Sequence, residues 1–162
     1  MPVPAVILTA AQNYKFNSDF LANAVKDLKP QEWLKRPADN LNHVSWIVGH
    51  CVWARKMLLV RLGAEWDKPW IGRFARGIKL DDESSYPSEA ALLDAWRESD
   101  GILAATLENV PEVVLAQPVT QGPPSADGKL SGVVSFLAVH ETYHIGQISY
   151  LRSWLGYKGL MG

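Results

Sequence analysis

SGVVSFLAVHETYHIGQISYLRSWLG, residues 131–156, decides how the chain folds. Val133, Leu137, His140, His144, Ile148, Leu151 and Leu155 recur at steps of three or four, with no proline between them. That period belongs to one face of an α-helix and to no strand. Working outward, three further stretches show the same period. Ile7, Ala11, Tyr14, Leu21, Val25 and Leu28 mark a first helix, interrupted at Ser18 and stopped by Pro30. A second begins after a capping Asn40 or Asn42, runs to about Leu62 and ends at Gly63. A third runs from near Ser88 to Val110, between Pro87 and Pro111, with Leu92, Trp96, Leu103, Leu107 and Val110 on its apolar face. No strand pair appears; Val113 to Val119 alone reads as extended. The expected fold is all-α, a four-helix bundle forming one domain over residues 1–162. Residues 64–87 are long enough to cross the length of the bundle between helices two and three, so that pair need not be an antiparallel hairpin.

The composition excludes several function classes. With 162 residues, 48% of them hydrophobic, the chain can bury a core without staples. Its net charge of −1 gives no reason to expect a nucleic-acid partner. No apolar run reaches membrane-spanning length, and the first residues lack the pattern of a secretory leader. The single cysteine, Cys51, excludes an intramolecular disulfide and fits a reducing, cytoplasmic setting. Charge is uneven. Residues 64–128 hold 5 Lys and Arg against 12 Asp and Glu, whereas residues 1–63 hold 8 against 4.

The four histidines carry the chemical information. His140 and His144 stand one turn apart within HETYH, on the apolar stripe. Two buried imidazoles at i and i+4 converge, and one metal ion satisfies both. On the second helix His43, Ile47, His50, Ala54 and Met57 share a face. His50 lies mid-helix and His43 in the first turn, nearer solvent, so His50 is the expected third ligand. Cys51, about 100° round from His50, reads as a packed thiol. HETYH also matches the zinc-peptidase pattern. However, no Asp, Glu or His follows His144, and Tyr150 stands where the extended pattern places its third histidine.

HETYHIGQISYLRSWLG (140–156), together with NHVSWIVGHCVWAR (42–55), resembles the DinB-like family of metalloenzymes, which includes YfiT-like and bacillithiol-transferase-like proteins. The resemblance rests on Trp46, Gly49 and His50 in a W-x-x-G-H context and on His140, His144, Gly146 and Gln147 in H-x-x-x-H-x-G-Q. It implies His50, His140 and His144 as a metal triad and gives no support to His43. It also implies a four-helix bundle with the long crossover between helices two and three. Zinc or nickel is the implied metal, a homodimer the implied assembly, and a low-molecular-weight thiol the co-substrate of characterised relatives.

Three neutral imidazoles leave an ion's charge uncompensated and a coordination position open, the pattern of a catalytic site. Such an ion activates water or holds a thiol as thiolate. Glu141 is a candidate base, and Gln147, one turn beyond His144, a candidate for orienting a ligand. Arg73, Phe74 and Arg76, in the crossover with Trp66 and Trp70, are candidate substrate-binding residues, because guanidinium groups suit an acidic thiol. The expected function is a metal-dependent enzyme acting on a small molecule, foremost a thiol S-transferase. A metal-hydroxide hydrolase is the alternative within enzymes, and a dimeric, non-catalytic metal-binding module linked to stress the alternative outside them.

Overall fold

Each stripe in the sequence becomes the buried face of a helix. A computed structural model describes residues 2–78 and 85–160. It contains α1 (Leu8–Val25), α2 (Val44–Arg61), α3 (Glu89–Asn109), a single turn α4 (Glu112–Leu115) and α5 (Leu130–Trp154). Short 3-10 turns occupy Ala5–Ile7, Pro30–Glu32 and Ile71–Phe74. Among the described residues no strand forms; Pro118 and Lys129 make one isolated antiparallel bridge. None of the helices is long and apolar enough to cross a membrane, among the described residues.

The helix boundaries follow from capping. Ser88 accepts a hydrogen bond from the Ala91 N–H and starts α3. The start of α2 is capped by His43, whose ring accepts from the Trp46 N–H at 3.2 Å, and not by Asn40 or Asn42. At α5, Asp127 reaches over Lys129 and accepts from the N–H groups of Lys129 and Gly132. The expected extended segment is only partly extended. Pro111 precedes a helical turn that buries Leu115, and pairing begins at Gln117, whose carbonyl accepts from the Leu130 N–H.

α1 and α5 run parallel to each other and antiparallel to α2 and α3. One apolar cluster joins Leu21 and Val25 of α1, Val44–Val52 of α2, Leu92 and Trp96 of α3, and Ile148 and Leu151 of α5. The other joins Ala10 and Tyr14, Leu58 and Leu59, Leu103 and Leu107, and Val133 and Leu137. The early halves of α2 and α3 therefore share an end with the late halves of α1 and α5. Each long helix packs on two neighbours, in the ring order α1, α5, α2, α3. α2 and α3 are thus parallel neighbours, and the connection between them must run back along the bundle, as its length suggests. Residues 79–84 of that connection lie outside the described residues.

A polar layer separates the two clusters. Arg55 of α2 is buried and donates to both Glu141 oxygens of α5, at 2.7 and 3.0 Å. It also donates to Ser18 of α1 at 2.9 Å and to Asp100 of α3 at 3.4 Å. Its guanidinium lies 3.5 Å from the centre of the Trp96 ring. The serine that breaks the α1 stripe is therefore a member of this layer, and it donates in turn to Asp100. Removing one partner of such a pair leaves a buried charge uncompensated, at a cost of about 3–5 kcal/mol. Glu141→Gln should lose stability on that scale in urea unfolding at pH 7, with the metal content of the folded protein retained. An unchanged unfolding midpoint would mean that Arg55 finds its compensation elsewhere.

Candidate metal centre

α2 and α5 face each other across the end of the bundle that holds the first cluster. There His50, His140 and His144 point their rings at one place. His140 Nε2 lies 3.3 Å from His50 Nε2 and 3.1 Å from His144 Nε2, and all three donor atoms fall within 4.8 Å of one another. His50 and His144 are buried and His140 is half-buried.

The far side of two rings is fixed. His50 Nδ1 donates to the Phe74 carbonyl at 2.7 Å, since a carbonyl can only accept. His144 Nδ1 donates to Gln147 Oε1 at 2.8 Å, and Gln147 Nε2 donates to the Tyr143 hydroxyl. Both neutral rings therefore carry their lone pair on Nε2, aimed at His140. One proton on His140 Nε2 can bridge to only one of them. Three converging nitrogens with a single proton among them are poorly satisfied by hydrogen bonding. An ion satisfies all three: nitrogens about 2.0–2.1 Å from a tetrahedral zinc stand about 3.3–3.4 Å apart. The residues therefore fit a divalent cation, and carbonyl or amide partners on Nδ1 are what metal-binding imidazoles ordinarily have.

The surroundings keep these rings neutral. Burial pushes His140 and His144 down to about 4, with the neighbouring ring charges and, for His140, Arg76 adding to the effect. Burial also lowers His50, against the raising effect of its bond to Phe74. Trp46 stacks on His50 at 4.6 Å between ring centres and closes one side, while Trp53 stands on the other at 5.3 Å.

Phe74 reaches His50 because of Gly49. A Cβ on Gly49 would stand 2.4 Å from the Phe74 ring, so any other residue there displaces the ring whose carbonyl orients His50. Gly146 has open space around its Cβ position and no such role.

The remaining candidates are dispersed. Glu141 is turned away from the three rings into the pair with Arg55, and burial raises its carboxyl against that pull. A base at the cluster would have to come from elsewhere. Gln147 acts on His144 directly. Phe74 contributes its backbone, with its ring buried between Trp70 and Tyr86. Arg73 is directed to Ser85. Arg76 lines a cavity of about 510 Å³ that opens from His50 and His140. Trp66 and Trp70 pack on the core instead. His43 is the α2 cap, held neutral by burial, with its pKa near 4. Burial pushes the Cys51 thiol up, so it offers no nucleophile. Met57, placed on the His50 face by the sequence, also lines the cavity, as do Trp53, Arg61, Phe136 and the turn at Gly122–Pro124, which were not singled out. For Arg61 a signal existed: the run His50, Ala54, Met57 continues to it at helical spacing.

The family model described as the DinB superfamily matches residues 15–148, most of the chain and all three histidines, and the chain belongs to that superfamily. No curated protein matches it.

Two outcomes are expected. Metal analysis should find about one divalent ion in the wild type and near-complete loss in the His140→Ala, His144→Ala double variant; Gln147→Leu should weaken affinity by about 10–100-fold. Retained stoichiometric metal in the double variant would exclude the triad. In the metal-free protein, folded pKa values near 4 lie below the unfolded value of about 6.5. Unfolded chains then take up protons first as pH falls. Stability should be full above about pH 6.5 and decline as pH falls from there through about 4. Urea midpoints of chelator-treated protein between pH 7.5 and 5 check this; a flat profile would contradict neutral buried rings.

Proposed function

We propose that this member of the DinB superfamily is a metal-dependent enzyme acting on an anionic small molecule, with thiol S-transfer as its reaction. The observation that carries the reading is the cavity onto which the histidine cluster opens. Trp46 and the half-buried Gln147, bonded to His144, flank the cluster on one side. On the other side His50 and His140 border a cavity that also contains Arg76 and the turn at Gly122–Pro124. Among the described residues no carboxylate or thiol joins the three histidines as a fourth donor. A closed structural site would need one.

A divalent ion held by His50, His140 and His144 would supply a Lewis acid that lowers the pKa of a bound thiol or water. The chain's own residues do the rest. Phe74 and Gln147 hold two rings in the orientation that presents Nε2. Arg76, an exposed residue on the cavity that Trp53, Met57 and Phe136 also line, draws an anion toward His140. Those apolar walls suit an apolar acceptor for the sulfur. With Glu141 engaged by Arg55 and Cys51 buried, the nucleophile must arrive with the substrates. That requirement suits a thiol co-substrate.

The test is a thiol screen on metal-loaded protein with a chloro-aromatic acceptor, in which the carbon–sulfur bond forms and chloride leaves. Acceleration by a carboxylated thiol, lost in His140→Ala, supports the transferase. Turnover of an activated ester without any thiol would support the hydrolase instead. Stoichiometric metal with neither activity would leave a binding module.

A further inference from the structure

The cavity beside the histidines is longer than a small thiol needs. His50, Ala54, Met57 and Arg61 follow one another along α2 at steps of four, three and four, and all four line it. Eleven residues of helix span about 16 Å between the Cα atoms of His50 and Arg61. Histidine nitrogens therefore stand at one end and a guanidinium toward the other, with the apolar surfaces of Ala54, Met57, Phe136 and Leu137 between them.

The far end is arranged around Arg61. Its guanidinium donates to the Gln121 carbonyl at 3.4 Å, a long and weak bond. Gly122, at φ +106°, lies against it, and a Cβ on Gly122 would fall 2.3 Å from Nη2. Glycine is favoured there by its backbone, and a Cβ in its place would displace the guanidinium. Among the described residues no carboxylate pairs with Arg61, although the middle of the chain is rich in acids. Arg76, the other guanidinium of the cavity, follows by two residues the Phe74 that bonds His50 and so belongs to the histidine end.

We infer that the cavity selects an elongated carboxylate: a donor group at His50 and His140, an apolar chain along Ala54, Met57 and Phe136, and the carboxylate on Arg61. Only the placement of the donor group rests on the metal-enzyme reading. The chain and the carboxylate are recognised by α2, α5 and the Gly122 turn whether or not an ion is present. A guanidinium and a carboxylate pair through parallel N–H···O bonds, and a partly desolvated pair is worth more than an exposed one. Arg61 acts here as a binding residue that sets the length of the ligand.

Calorimetric titration with three probes tests this. Mercaptoacetate carries donor and carboxylate without a chain, mercaptooctanoate carries both at the two ends of one, and octanoate lacks the donor. Metal-loaded wild type should bind mercaptooctanoate more tightly than mercaptoacetate. Arg61→Gln should weaken mercaptooctanoate by about tenfold or more, as expected for a lost charge-assisted hydrogen bond. It should leave mercaptoacetate binding, metal content and thermal midpoint unchanged. Arg61→Lys should recover part of the loss, and the wild-type advantage should shrink as salt rises. Octanoate binding to metal-free protein, weakened by Arg61→Gln, would uphold the carboxylate end even if the triad held no metal. Equal affinities for the two thiols, or an Arg61→Gln variant that binds all three probes as the wild type does, would overturn the assignment.

Discussion

The bidentate pair between Arg55 and Glu141 sets the register on which the rest of the bundle depends. Apolar stripes can slide past each other at small cost, because leucine against leucine is much the same one turn along. A guanidinium and a carboxylate buried together cannot slide: a displaced partner would leave both charges desolvated and alone. Arg55 also reaches Ser18 of α1 and Asp100 of α3, so one side chain ties all four long helices at a single level. His50 precedes Arg55 by five residues and His140 precedes Glu141 by one. Fixing that pair therefore fixes how His50 meets His140. The carboxylate that looks catalytic in HETYH is the one that aligns the two helices carrying the histidines.

The topology supplies the second constraint. Because α2 and α3 are parallel, the chain leaving α2 must return along the bundle before α3 can start. The return passes the early half of α2, where Phe74 lies on Gly49 and offers its carbonyl to His50. An antiparallel hairpin in its place would have left His50 Nδ1 without that acceptor. The long crossover thus acts on the site through a backbone oxygen more than through its side chains. Its aromatic residues are spent on holding that oxygen still.

Much of this was legible in the sequence, and the remainder was hidden for identifiable reasons. The stripe Val133–Leu155 names α5 and puts both of its histidines inside, because a 3.6-residue period is local information. His50 was set apart from His43 on the expectation that the first turn lies nearer solvent; His43 is instead fully buried, and its ring is taken up by capping the Trp46 N–H. The roles of Glu141, Gln147 and Phe74 were not legible, since each depends on a partner's direction in space. Glu141 follows His140 by one residue and so turns away from it by about 100°, which says where it points but not that Arg55 waits there. Arg61 escaped notice because its charge ends an apolar stripe and reads as the solvated tip of a helix. Val113–Val119 misled because β-branched residues report propensity, and Pro111 with a buried Leu115 outweighs propensity over one turn.

The two buried polar groupings solve opposite electrostatic problems with the same helices. At the mid-bundle layer Arg55 is matched inside the protein by Glu141, while Ser18 and the partly exposed Asp100 complete its hydrogen bonds. At the histidine cluster the described residues offer three neutral donors and no anion, so a cation held there would keep its full charge. Low local dielectric makes that charge felt along the cavity, and guanidinium groups at Arg76 and Arg61 add to it. A ligand that is itself negative would neutralise such a cavity. Three imidazoles leave both a coordination position and a charge unfilled, so the proposed substrate is an anion, and the separation of Arg61 from the histidines sets the length proposed for it.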